Sequence, residues 1–417
     1  MRGASLLLLL LLLLSATAMP ALDISDAERR ELLRDLSLWQ REFGNDDRVR
    51  ESMVGAVSQD HLLARLKASK EKVPELRVSN PYATFSHLTK FALLTNAEFT
   101  RYVSGPLLAA SPTPEASAGI ANATDAIDWT AGNTKTCVLP PKNQGACGSC
   151  WAFAATGVVA SAHCIATGVL PDISDQHVTS CSTNDGSDGC NGGTVEGAID
   201  WIVSQQQHLC STSALPYTSG LSGDTGTCTA TCNSSVSLAV GATINIAGES
   251  ALEAQLRVQP VSVTVAGEND VWRLYLSGVI SACPDVRSDH AVLAVGYGLD
   301  DDSGLPYFKV RNSWGANWGE GGDMRLERSV GGAGTCNVAA SVSFPKIVRP
   351  TKPPTQTKTA RPTTKSPLPT RRPRPPTPTP KPSTSHPLTV TLSPIVPEST
   401  DGSDVELDDD IVGAFWG

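Results

Sequence analysis

Apolar and polar positions follow several different patterns along the chain. Behind Ser25-Asp26, the run Glu28-Arg29-Arg30-Glu31-Leu32-Leu33 has the form of an N-cap and a charged first turn. Leu36, Trp39 and Phe43 then recur at helical spacing, and a second amphipathic run covers about Asp60 to Lys72. Helices are therefore predicted through a charged, cysteine-free stretch from about residue 22 to 110. Between about 104 and 125 the pattern dissolves into Ala, Ser and Pro, the composition of an exposed junction open to proteolysis. Trp151 to Ala162 is good helix material. Ala291 to Gly298 reads as a buried strand closed by glycine, and Tyr307 to Gly315 is the next such run.

The two ends follow neither period. Arg2, nine leucines from Leu6 to Leu14 and the Ala16-Thr17-Ala18 site make residues 1–18 a secretory signal. A membrane anchor would need about 20 apolar residues, and no other segment is long and apolar enough to span a bilayer. Residues 349–396 hold 14 Pro, 12 Thr and nine Lys/Arg without an acidic residue, a composition for an extended basic linker. Residues 397–417 form an acidic tail, and Ile411 to Gly417 is too short for a lipid-anchor signal. No internal repeat is present.

Composition narrows the picture further. Of 417 residues 40% are hydrophobic and 18% charged, enough for a packed core. The net charge of −9 argues against nucleic acid as a partner. All eleven cysteines fall between Cys137 and Cys336, marking a disulfide-bonded domain over 126–348. That domain carries ten Lys/Arg and twenty Asp/Glu, hence −10. An odd cysteine count leaves one thiol over if the others pair. Asn122 and Asn233 stand in glycosylation sequons, which a secretory route would expose to the glycosylation machinery.

The densest chemistry lies in Lys142-Asn143-Gln144-Gly145-Ala146-Cys147-Gly148-Ser149-Cys150-Trp151. Cys150 falls at or near a helix N-terminus, where unsatisfied N–H groups and the dipole favour a thiolate, the nucleophile of acyl transfer. Cys147 and Cys150 also make a C-x-x-C, which fits a redox dithiol, half a zinc site, or a structural cysteine beside a free one. No thioredoxin-like context and no second ligand pair accompany it. Of the four domain histidines, His163, His177 and His208 sit in ordinary polar contexts. His290 is different, because it opens the apolar strand. Asn312 could orient its imidazole and Trp314 could shield that bond from water.

At these residues the chain resembles the papain-family cysteine peptidases, the group that contains the cathepsins. Cys147-Gly148-Ser149-Cys150-Trp151 matches that group's C-G-[SA]-C-[WY] signature. Gly189-Cys190-Asn191-Gly192-Gly193, Asn312-Ser313-Trp314-Gly315 and Trp318-Gly319-Glu320-Gly321-Gly322 are further family blocks, in order. The resemblance implies a two-lobed α+β fold: a helical left lobe with the nucleophile helix, a β-barrel-like right lobe, and the cleft between them. It implies Cys150 as nucleophile in an ion pair with His290, Asn312 as the orienting group, and Gln144 with the Cys150 N–H as the oxyanion hole. Substrate would lie along Gly192 and Gly193 and beside Asp289 and Trp314. Thr194, Val195, Thr264, Ala291 and Ser341 would line the main specificity pocket, whose uncharged walls suit an apolar residue two before the scissile bond.

The family pattern also suggests disulfides Cys147–Cys190, Cys181–Cys228 and Cys283–Cys336. The remaining four cysteines are assigned as Cys210–Cys232 and Cys137–Cys164, a pairing the sequence alone does not fix. Residues 19–125 resemble the family's inhibitory propeptide in degenerate form, through Trp39, Phe85-Ser86-His87-Leu88-Thr89, Phe91, Thr95, Glu98 and Phe99. His87 takes a place usually acidic. Asp323 stands where an aromatic is frequent, and Ser180 before Cys181 also departs from the pattern. The expectation is a monomeric cysteine endopeptidase made as a zymogen in the secretory pathway, destined for the extracellular space or a lysosome or vacuole. It would act on proteins or peptides, be inhibited by its own propeptide, and need no cofactor or metal. The alternatives are an impaired binding protein on the same fold and a C-x-x-C thiol-disulfide enzyme.

Overall fold

The computed structural model describes residues 24–53, 57–103, 126–131, 137–205, 208–228, 232 and 238–349. The signal, the 104–125 junction, both sequons, the linker beyond Arg349 and the acidic tail lie outside the described residues.

Helix α1 (Asp26–Phe43) starts where expected: Ser25 Oγ accepts from the Glu28 N–H, and Leu32, Leu36, Trp39 and Phe43 turn inward. After α2 (Asp47–Ser52), helix α3 spans Gln59–Ser79 and so outruns the amphipathic stretch predicted to end at Lys72. It passes through Pro74, which cannot donate to the preceding turn, because Val73 and Leu76 on either side are buried. Lys67 meets Glu28 at 2.5 Å and Lys70 meets Glu31 at 2.6 Å between the two helices. Exposed pairs of this kind contribute little, so apolar packing holds the hairpin. Strand β1 (Ala83–Phe85) and the short α4 (Asn96–Phe99) follow. Thr95 and Glu98 close α4 with a capping box, and Arg65 grips the Glu98 carboxylate at 2.9 and 3.2 Å.

Beyond the junction, β2 (Ile127–Asp128) precedes three helices of the left lobe: α5 (Cys150–Thr167), α6 (Asp175–Cys181) and α7 (Val195–Ser204). Helix α5 is apolar almost all round because it is enclosed, and its Ala155, Val158 and Val159 pack with Ile173, Val178, Ile199 and Ile202. Gly168, at φ 78°, ends it in a left-handed cap whose N–H reaches the Cys164 carbonyl at 2.7 Å. The remaining elements are α8 (Ser219–Ser222), β3 (Val240–Ile246), α9 (Glu249–Leu256), β4 (Val261–Val265) and α10 (Asp270–Arg273). Strands β5 (Tyr275–Ile280), β6 (His290–Leu299), β7 (Pro306–Arg311), β8 (Asp323–Glu327) and β9 (Val342–Ile347) complete the series.

The strands form one mixed sheet in the order β1-β5-β8-β7-β6-β4-β9-β3, with β2 added on β6. Among the described residues only β5 and β8 run parallel. The architecture is the α+β arrangement expected, with Cys150 in the helical lobe and His290 in the sheet. One feature went unforeseen: Val263, Trp272, Phe308 and Leu326 of the right lobe share a single apolar cluster with Leu36, Trp39, Leu66 and Phe91. The amino-terminal segment thus shares a core with the sheet lobe. Disulfides join Cys137–Cys164, Cys147–Cys190, Cys181–Cys228, Cys210–Cys232 and Cys283–Cys336, and Cys150 is a free, buried cysteine.

Candidate active site

Cys150 is the first residue of α5, and its helix has an unusual start. The N-cap Ser149 makes no side-chain capping bond; its Oγ instead meets the Tyr217 hydroxyl at 2.7 Å. The first turn therefore directs its N–H dipoles toward Cys150 without a competing side-chain acceptor. From the other lobe, the Ala291 N–H points at Cys150 Sγ at 3.3 Å. The residue touching the sulfur is thus the one that follows His290.

His290 opens β6 opposite Val265 of β4 and is fully buried. Its Nε2 lies 2.8 Å from Asn312 Oδ1, and the same Oδ1 accepts from the Ser313 N–H at 2.8 Å. Two contacts on one atom, one of them a backbone donor, fix that atom as oxygen and Nε2 as the protonated nitrogen. Nδ1 is left with its lone pair and has no hydrogen-bond partner among the described residues. Trp314 stacks on the imidazole at 4.7 Å and 22°, and Trp272 stands across it at 6.0 Å and 81°. Burial pushes His290 down to about 4, with the Asn312 bond working the other way. In this covered state burial favours the neutral imidazole.

Gln144 is buried between the lobes. Its Nε2 donates to the carbonyls of Cys147 at 2.9 Å and Tyr102 at 3.0 Å, and its Oε1 accepts from Ser313 Oγ at 2.5 Å. Its main chain is fixed as well, with N–H to the Ser313 carbonyl at 2.8 Å and the Tyr217 hydroxyl on its carbonyl at 3.0 Å. Beside His290, Asp289 Oδ1 accepts from the Gly267 and Glu268 N–H groups at 2.7 and 3.0 Å. Burial raises its carboxyl to about 6 against those two bonds, and Glu268 adds to the rise.

The pocket residues come from both lobes. Thr194 caps α7 through Oγ1, which accepts from the Gly197 N–H, and Val195 begins that helix. Thr264 faces Ala291 across β4 and β6, and its N–H donates to the Ser341 carbonyl at 3.1 Å. Val195 and Ala291 belong to one apolar cluster, so the two sets meet. At Gly193 a Cβ would lie 2.6 Å from the Trp151 ring, which is why only glycine fits beside it. Gly192, at φ 119°, occupies backbone space that favours glycine.

The sequence departures also find partners. His87 Nε2 lies 2.9 Å from Asp35 of α1, so the acidic partner sits on the facing helix. Asp323 takes Arg311 at 2.8 and 3.0 Å, and Ser180 Oγ donates to the Thr225 carbonyl at 2.6 Å. Sequence reasoning missed Ser313 and Tyr217. Ser313 lies inside the family block Asn312-Ser313-Trp314-Gly315, and its hydroxyl next to Asn312 is the available signal. Nothing local marks Tyr217.

A free thiol at a helix start, an imidazole oriented by an amide, and a buried amide donor between two lobes define the class of thiol hydrolases with a two-lobe cleft. A sequence profile of the papain family cysteine proteases matches residues 123–346, more than half of the chain. The chain belongs to that family. It is 35% identical over 265 residues to the oryzain beta chain of Oryza sativa subsp. japonica, covering 62% of this chain and 55% of that one. It is 36% identical over 282 residues to cysteine proteinase 2 of Leishmania pifanoi, covering 64% of this chain and 61% of that one. The chain thus spans little more than half the length of these relatives. Among solved structures it resembles the proform of the ragweed pollen allergen Amb a 11 cysteine protease, with TM-score 0.65 and 26% identity over 78% of this chain and 99% of that one. It also resembles recombinant stem bromelain precursor, with TM-score 0.60 and 28% identity over 76% and 99%.

Proposed function

We propose that the protein is a cysteine endopeptidase made as a zymogen, with residues 19–125 as inhibitory prosegment and 126–348 as the peptidase. The observation that carries this reading is the link from free Cys150 to Asn312: Ala291 N–H on the sulfur, His290 beside it, and the His290–Asn312 bond at 2.8 Å. Once the cleft is uncovered, Cys150 would attack the peptide carbonyl carbon, its thiol proton passing to His290 Nδ1. The carbonyl oxygen would become an oxyanion held by Gln144 Nε2–H and the Cys150 N–H, a contribution of about 3–4 kcal/mol per donor in related sites. His290 would return the proton to the leaving amine, leaving a thioester. Water, deprotonated by His290, would release the acid. Asn312 keeps the proton-bearing Nε2 turned away from sulfur throughout.

The wall formed by Thr194, Val195, Thr264, Ala291 and Ser341 carries no charged side chain, which supports an apolar residue two before the scissile bond. The thiol-disulfide alternative loses its dithiol, since Cys147 is bonded to Cys190. The leucine-rich leader and the five disulfides support passage through the secretory pathway to an extracellular or vacuolar destination.

The test is labelling with a peptidyl epoxide before and after removal of the prosegment. Label on Cys150 and peptide hydrolysis after processing are expected. A processed protein that takes no label, or a Cys150→Ala protein that still cleaves peptides, overturns the reading.

A further inference from the structure

Trp314, the lid over His290, is gripped at both ends by residues 24–103. Its main-chain carbonyl accepts from Lys90 Nζ at 2.9 Å, and its indole N–H donates to the Tyr102 carbonyl at 3.1 Å. Phe91 and Phe99 set their rings against it at 5.2 and 5.4 Å. The aromatic contacts are ordinary core packing, but Lys90 is not. Its side chain is 0% exposed and its ammonium meets Asp46 Oδ2 at 3.1 Å. Lysine is almost never fully buried unless paired.

Among the described residues the ammonium faces its neighbour's Phe91 ring at 5.6 Å and three polar or charged groups. Asp46 comes from the turn between α1 and α2, the Trp314 carbonyl from the peptidase, and Arg48 adds a repulsive charge from α2. Asp46 in turn accepts from the Arg48 N–H at 3.1 Å and is hydrogen-bonded by the Asn317 side chain. Burial pushes Lys90 below its usual value despite Asp46. Burial would raise the Asp46 carboxyl, but Lys90 and these hydrogen bonds hold it lower.

The pair itself lies within the amino-terminal segment, and its outward hydrogen bonds cross to the peptidase part: Lys90 to the Trp314 carbonyl and Asp46 to Asn317. Breaking a buried pair by removing one partner is strongly destabilising, because the other charge stays desolvated; replacing both by apolar groups is often neutral. That cost would weigh most on the docked state, in which the Trp314 carbonyl and Asn317 help enclose the pair.

We propose that Lys90, held by Asp46, is the anchor by which residues 24–103 clamp Trp314 and close the cleft over Cys150 and His290, so that breaking this one ion pair opens the cleft with the chain uncut. The inference rests on the reading of this segment as the prosegment. It adds to that reading the residue pair that sets how tightly the prosegment docks.

The experiment uses the full-length chain at neutral pH and follows the rate of Cys150 labelling by a peptidyl epoxide, with chain length checked on gels. Asp46→Asn strands the buried ammonium and should label at least about tenfold faster than the wild type. Lys90→Met should label about threefold faster or more, since the carboxylate left behind is partly solvated. Asp46→Asn with Lys90→Met should fall well short of the product of the two single effects. Singles within twofold of the wild type, or a double equal to that product, overturn the anchor. Both residues precede the junction, so the processed enzymes are the same polypeptide and should share one kcat/KM. Their yield of active sites reports on folding, and Lys90→Met carries the test if Asp46→Asn fails to fold. An inactive processed wild type would sink the peptidase reading instead, whereas normal processed activity with unchanged labelling sinks only the anchor.

Discussion

Ser313 Oγ donates to Gln144 Oε1 at 2.5 Å, while the Ser313 N–H holds the oxygen of Asn312 at 2.8 Å. One residue thus sets the amide that would stabilise the oxyanion and the amide that orients the imidazole. With Oε1 taken, Gln144 must present Nε2 to the cleft. Ser313→Ala should lower kcat by about tenfold with little change in KM, less than the roughly 100- to 1,000-fold cost of losing an oxyanion donor outright. Steady-state kinetics in a Gln144→Ala background check the route, because there the Ser313 change should add almost nothing.

Asp289 ties the pH response to the 266–270 turn. Its folded-state value of about 6 lies above the usual 3.8, so the folded chain holds the proton more tightly than the unfolded one. The group's contribution to stability is therefore fully present below about 3.8 and is lost as pH rises through about 6. The change is at most about 3 kcal/mol, at roughly 1.4 kcal/mol per unit. Asp289→Asn keeps an acceptor for the Gly267 and Glu268 N–H groups without titrating. Melting curves at pH 4 and 7 should show that the wild type loses more stability across this interval than the variant does.

His163 works with the opposite sign. Its Nδ1 accepts from the Ala239 N–H at 2.8 Å, and burial pulls its value below 6.5. The folded chain resists protonation there, so stability falls as pH drops below about 6.5. His163→Asn, which can offer an oxygen to the same N–H, should flatten that part of the stability curve. Equilibrium unfolding in urea at pH 5 and 7 is the measurement.

Gly193→Ala would place a methyl 2.6 Å from the ring of Trp151, a fully buried residue whose indole N–H is fixed on the Gly189 carbonyl. Overpacking of this kind costs about 1–3 kcal/mol. The variant should melt several degrees lower and lose kcat/KM through KM, since this segment is the one proposed to run along the substrate.

Much of this layout was legible before any coordinates. The helix behind Ser25 and the strand opened by His290 follow from local pattern, because capping and periodicity are local signals. Helix α3 runs past the amphipathic stretch that ends near Lys72, and its last turns through Pro74 are held by the burial of Val73 and Leu76, which local pattern does not reveal. The bridging contacts escaped entirely. Lys90 and Trp314 are separated by 224 positions, and Tyr217 and Ser149 by 68. A lysine ahead of Phe91-Ala92-Leu93-Leu94 can keep its ammonium in water while its stem packs, so the sequence gives no sign that the charge will be enclosed. Only the three-dimensional pairing of Asp46, Lys90 and the Trp314 carbonyl explains why that cation tolerates burial.

The pairing of β1 with β5 bears on what the proposed processing would leave behind. Residues 83–85 form the first strand of the sheet, and Ala83 and Thr84 lie opposite Gly278 and Ser277. Cutting away the prosegment, as proposed, would turn β5 from an inner strand into an edge strand with unpaired N–H and C=O groups and an already exposed Leu276. Gly278, at φ 90°, bends that margin where a flat ribbon would otherwise invite a second chain. The distortion that fits one strand to its partner in the precursor would then serve the free enzyme as protection against self-association.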